Sequence, residues 1–240
     1  NCDERIFKNR SKRKDLVSYV KSKKLFEYNL QNFQVFVKDS LPDNVDVRRV
    51  VDVVQSRLPE KFLNLIDVVY IGDFSFFKER NINAFFLDSA LYITNHQEDD
   101  NDMIDDIVHE IGHAVEDRYK DFLYGDENIK NEYYAKLKKL KNYLSFDGYD
   151  IRGINFFNED YNENFDNFLL NDVGYDKLSG YINNLFLAPY SITTLREYFS
   201  RGFEEFFLGN RLDLKNISPY VYEKLLFLLE NNPYGDDYER

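Results

Sequence analysis

The sequence predicts an α+β fold, and three observations carry that expectation. The chain is poor in breakers, with 10 Gly and 5 Pro in 240 residues, so long helices are the default. Apolar residues recur at three- and four-residue spacing over much of its length. Between them lies a short β-branched and aromatic region, "DVVYIGDF" followed by "NINAFFLDSALYITN", with the alternation of strands.

Taken in order, "DLVSYVKSKKLFEYNLQNFQVFVKDSLP" has helical periodicity with interruptions, and residues 1–65 are expected to form an N-terminal helical region. "DVRRVVDVVQSRLPEKFLNLI" is a better helix. Pro59 should kink or divide it, because proline lacks an N–H and crowds the turn before it. Residues 66–240 are expected to form a second region. In it, "DVVYIGDF" is a strand ended by Gly72, and Ala84–Leu87 and Ala90–Thr94 flank an Asp88-Ser89 turn, giving a small antiparallel sheet. A helix over 103–122 follows. After it comes an aromatic, Asn- and Asp-rich stretch, about 124–189, with a helix near "NEYYAKLKKLKNYL". Two helices close the chain: "TTLREYFSRGFEEFFLGN", stopping at Gly209, and "SPYVYEKLLFLLE", with Ser218 as its cap and Pro219 at the first helical position.

Composition narrows the possible roles. With 43% hydrophobic and 17% aromatic residues, the chain is too apolar to be disordered. Its apolar runs are far shorter than a bilayer span, so a soluble protein with no membrane partner is expected. A net charge of −12 makes nucleic acid an unfavourable partner. The basic arm "RIFKNRSKRKD" reads as a solvated stretch. The single cysteine, Cys2, excludes an internal disulfide framework. The chain opens at Asn1 with no apolar signal core after it, so removal of an upstream segment is expected. Secreted and cytoplasmic locations both fit.

The chemistry concentrates in "MIDDIVHEIGHAVEDRYKDF", residues 103–122. At about 100° per residue, Ile104, Val108, Ile111, Val115, Tyr119 and Phe122 form one apolar stripe. His109 and His113 lie on the other side. Their spacing of four stacks the two imidazoles on one helix face, where both can aim a nitrogen at a single ion. Zn²⁺ suits neutral imidazoles and tolerates an open position for water. Glu110, next to the first histidine, is placed to act as a general base on that water. Two of the three histidines fall at this spacing with Glu in the required place.

A catalytic zinc site needs a third protein ligand. The position six beyond His113 is Tyr119, and His96, in the acidic loop "NHQEDDND", reads as a surface residue. The helix "TTLREYFSRGFEEFF" offers Glu197, Glu204 and Glu205, and periodicity does not choose among them. Thr194 and Glu197 also form a capping box, a structural role that needs no metal.

"IVHEIGHAVED" and "YSITTLREYFSRGFEEFF", with the weaker match "ALYITN", resemble the gluzincin peptidases of the anthrax lethal factor catalytic-domain type, which include the Pro-Pro endopeptidases. The resemblance covers roughly residues 66–230. It implies a zincin-like fold in which Glu197 is the third zinc ligand and Tyr190 helps to stabilise the transition state. Strand Ala90–Thr94, through Ala90, Leu91 and Tyr92, would lie at the sheet edge and pair with an extended protein or peptide substrate. Two departures stand out. Arg201 occupies a position that is usually acidic in the family, and the long separation of His113 from Glu197 implies an insertion within 124–189. The expected activity is zinc-dependent endopeptidase; the alternative is a catalytically degenerate binding or structural module on the same fold.

Overall fold

The computed structural model describes residues 16–21, 26–29, 33–80 and 82–234. Cys2 and the basic arm lie outside them. The chain is mixed α and β and divides into two compact units, Asn1–Arg118 and Tyr119–Arg240.

The first unit is built on one five-stranded sheet of β1 (Phe26–Asn29), β2 (Gln34–Val37), β3 (Val68–Gly72), β4 (Ala84–Leu87) and β5 (Ala90–Thr94), in the order β1-β2-β3-β5-β4. The β2, β3 and β5 strands run parallel, whereas β1 and β4 are antiparallel to their neighbours. Two expectations are corrected here. Residues 26–29 and 34–37 are strands rather than helix, and the sheet is mixed rather than antiparallel. Val35 and Val37 are buried while Gln34 is exposed and Phe36 half-buried, a period of two that the wider spacing of the aromatic residues conceals. Because β2 pairs with β3, the sheet also runs across the boundary expected near residue 65.

The parallel step from β2 to β3 requires a crossover, and α1 (Val47–Arg57) and the short α2 (Glu60–Leu63) provide it. Pro59 divides these helices and begins the second as its N-cap residue, as its missing N–H dictates. Val47, Val50, Val51 and Val54 form the buried stripe of α1. One face of the sheet, with Val35, Val37, Val69, Ile71, Leu91 and Ile93, is at most 2% exposed. The other carries a row of rings in register across four strands: Phe36, Tyr70, Tyr92 and Phe85, with centroids 5.6, 5.4 and 4.5 Å apart in turn. Phe74, Phe76 and Phe77, around α3 (Ser75–Arg80), pack into the same cluster as Phe85.

The β4–β5 hairpin forms as expected. Asp88 and Ser89 both have positive φ, 49° and 59°, the left-handed pair that matches strand twist in a two-residue turn.

The helix α4 (Asp100–Tyr124) runs through the unit boundary, and its one non-helical residue, Tyr119 (φ −111°, ψ 19°), lies there. The second unit is helical. The stretch 124–189 holds α5 (Asn128–Phe146), α6 (Glu163–Asn167), a wide helical turn at Phe168–Val173 and α7 (Tyr175–Ile182). The tight turn Tyr190–Ile192 leads into α8 (Leu195–Phe207), α9 (Arg211–Ile217) and α10 (Pro219–Glu230). Tyr198, Phe199, Phe203 and Phe206 of α8 are buried to 2% or less. No helix among the described residues is long and apolar enough to cross a membrane.

Candidate metal centre

The start of α4 is tied down by its own acidic sequence. Asp99 Oδ1 accepts the free N–H groups of Asn101 and Asp102 at 2.7 and 3.1 Å, as a capping carboxylate should. Asp100 Oδ1 accepts the Asp46 N–H at 2.7 Å, and its other oxygen lies 3.4 Å from Arg49. The cap of α1 and the first turn of α4 are thus joined. Gln97 Nε2 donates to Asp106 at 3.0 Å and to the Thr94 carbonyl at 3.2 Å, linking the end of β5 to the same helix.

From this anchored start, Met103, Ile107, Val108, Ile111 and Val115 are buried to 2% or less. The stripe read from the sequence holds for Ile104, Val108, Ile111, Val115 and Tyr119, whereas Phe122 is half-buried. The polar side of the helix is enclosed as well: His109 is half-buried, Glu110 6% exposed and His113 3% exposed. The two imidazole rings are 4.9 Å apart and nearly perpendicular. Ligand atoms of His109, Glu110 and His113 all lie within 4.8 Å of one another, so this group can hold a metal ion. Ligands at about 2.0–2.1 Å around a tetrahedral ion stand roughly 3.4 Å apart, within reach of small side-chain rotations. The two imidazoles are donors that zinc accepts, with the Glu110 carboxylate beside them.

His96 is exposed and outside this group; its Nε2 faces Asp73 at 3.8 Å, where Lys78 also binds at 2.9 Å. Glu197 and Tyr190 belong to the second unit. Tyr190 opens the turn Tyr190–Ile192, is 48% exposed, and accepts the Thr193 hydroxyl at its carbonyl at 2.8 Å. Glu197 sits in the first turn of α8 and donates its N–H to Thr194 Oγ1 at 3.0 Å, so the cap read from the sequence is present. The other two glutamates of that helix are engaged. Glu204 is buried and pairs with Arg201, and Glu205 accepts the Asn210 N–H at 2.8 Å.

Strand Ala90–Thr94 is not an edge. It lies between β3 and β4, with both sides of its backbone paired, so Ala90, Leu91 and Tyr92 have no main-chain groups left for a substrate. Among the described residues the outer strands are β1 and β4, and β4 is the one beside Ala90–Thr94. In a two-residue hairpin, Leu87 and Ala90 exchange hydrogen bonds and the pairs alternate from there, a phase that the Thr94 N–H to Asn83 carbonyl bond of 2.7 Å confirms. Main-chain groups of Ala84 and Phe86 therefore point away from the sheet.

A polar cluster in the second unit was missed in the sequence. Lys136, 8% exposed, lies 3.1 Å from Ser218 Oγ and 2.5 Å from the Tyr198 hydroxyl, and it also donates to the Ile217 carbonyl. Tyr198 donates to Glu132 at 2.6 Å. Burial pushes the Lys136 amine down to about 8, against the pull of Glu132. Burial raises Glu132 above its ordinary value despite its hydrogen bond from Tyr198. One sequence signal was available: Lys136 falls among Ile129, Tyr133, Leu137 and Leu140 on the apolar side of α5.

Comparison with protein-family profiles, with curated proteins and with solved structures returns no match for this chain.

Proposed function

We propose that the chain is a zinc-dependent endopeptidase. The observation that carries this reading is the convergence of His109, Glu110 and His113 on one enclosed helix face. His109 and His113 hold the ion, and Glu197 is the third ligand by the resemblance of its motif. A zinc ion supplies Lewis-acid polarisation of a peptide carbonyl and acidifies water to a pKa near 7.

The chain's own groups do the rest. Glu110, low in exposure and next to the first imidazole in sequence, accepts a proton from the attacking water at its carboxylate and returns it to the departing amine. Tyr190 presents its hydroxyl to the charge that develops on the carbonyl oxygen. An extended peptide that adds to the sheet adds along β4, through the outward main-chain groups of Ala84 and Phe86.

Cleavage of a peptide library with and without a chelator tests the reading. Cleavage that stops with chelator and returns with zinc is the expected result. Stoichiometric metal binding with no cleavage of any peptide would favour the degenerate module instead.

A further inference from the structure

Tyr133 lies in α5, within the long segment that separates His113 from Glu197. Its ring is fully buried and tilted against that of Tyr198, with centroids 5.2 Å apart. Its hydroxyl donates to the Ile192 carbonyl at 2.7 Å. Ile192 closes the turn that opens at Tyr190, and Thr194, two residues further, caps the helix whose first turn holds Glu197. Two hydroxyls tighten this turn from within: Ser191 Oγ donates to the Ala188 carbonyl at 2.6 Å and Thr193 Oγ1 to the Tyr190 carbonyl at 2.8 Å.

The head of α8 is held from the same segment. The Glu159 carbonyl accepts the Leu195 N–H at 3.4 Å, and the Glu159 carboxylate lies 3.5 Å from Lys130 of α5. One helix of the insertion therefore grips residues 190–198 both before and after the cap. Tyr133 is suited to this task. Burial, with the neighbouring Tyr134 and the Glu197 charge adding to it, pushes its phenol far above the ordinary range, so it remains a donor at any working pH.

We propose that Tyr133 is a positioning residue for Tyr190 and Glu197: by fixing the Ile192 carbonyl it sets the turn that joins them, and zinc retention depends on a hydroxyl that is not itself a ligand. The inference rests on Glu197 being a zinc ligand. Groups that orient a metal ligand, when removed, typically weaken metal affinity by about 10–100-fold.

The test is Tyr133→Phe, which keeps the ring and removes only the donor. The zinc dissociation constant is measured by competition with a chromophoric chelator, alongside circular dichroism and melting of the metal-free protein. The expected result is a dissociation constant raised about 10–100-fold with the helical spectrum retained. Leu225→Ala, a core truncation elsewhere in the same unit, should lower the melting temperature and leave the dissociation constant unchanged. A wild-type dissociation constant in Tyr133→Phe, or an equal rise in Leu225→Ala, overturns the positioning role. Thr193→Val removes the second clamp on the turn and should shift affinity in the same direction; it decides the matter should Tyr133→Phe fail to fold, and unchanged affinity there counts against the proposal. Glu197→Ala separates the two levels. Wild-type affinity in that variant, or a wild-type chain that binds no zinc, removes the ligand assignment itself. Weakened binding in Glu197→Ala with none in Tyr133→Phe removes only the positioning role.

Discussion

The hydroxyl of Ser218 stands 3.1 Å from the Lys136 amine, although Ser218 opens α10 at the position where a serine ordinarily caps its helix. No side-chain cap is made there. The hydroxyl instead joins Tyr198 and Lys136 in a buried cluster that ties α5, α8 and α10 together.

That cluster should make stability depend on pH. The Lys136 amine has its value lowered by burial to about 8, whereas an unfolded lysine titrates near 10.4. Between these values the unfolded chain holds a proton that the folded chain has released, so stability rises with pH in this window. The full effect is on the order of 3 kcal/mol. Above about pH 10 the trend reverses, because the buried phenols of Tyr133 and Tyr198 are pushed upward and the unfolded chain then loses its protons first. Urea midpoints measured from pH 7 to 10 should climb above pH 8 in the wild type and stay flat in Lys136→Met. Parallel profiles would assign the titration to another group.

Glu110→Gln should separate metal binding from chemistry. The amide preserves size and cannot accept the proton, so zinc content should persist while peptide cleavage falls at least about 100-fold. Comparable turnover in the purified, zinc-loaded variant would remove Glu110 from the base role.

Gly202→Ala should destabilise the second unit. A Cβ at this position would meet Val221 Cγ1 at 2.7 Å and Leu214 Cδ1 at 3.4 Å, where α8 lies against α9 and α10. Overpacking of this kind costs about 1–3 kcal/mol, readable as a lower melting temperature with no change in net charge.

The hairpin turn offers a change in the other direction. Asp88 and Ser89 both adopt left-handed backbone, which Asn-Gly tolerates better than Asp-Ser. The double substitution Asp88→Asn, Ser89→Gly should raise stability by up to about 1 kcal/mol, whereas Ser89→Val should lower it.

Local features were legible in the sequence. The Asp88-Ser89 turn, the division at Pro59, the Thr194 cap and the imidazole pair on α4 each depend on residues within a few positions of one another, and short-range stereochemistry decides them. What escaped was long-range. Phe26–Asn29 and Gln34–Val37 look helical until pairing with each other, and of Gln34–Val37 with β3, selects their period of two. The interior position of Ala90–Thr94 follows from strand order, which no local pattern encodes. Tyr133 and Lys136 read as ordinary residues of an amphipathic helix, because their partners at Ile192, Tyr198 and Ser218 are some sixty to eighty positions away.

The ring row on the sheet has an optical consequence. Phe36, Tyr70, Tyr92 and Phe85 overlap side by side across four strands in a chain without tryptophan. Their coupled transitions therefore contribute to near-ultraviolet dichroism with no indole band to mask them. A strand that slips by one residue sends its ring to the opposite face and breaks the coupling. The protein thus carries a built-in spectroscopic gauge of its own strand register.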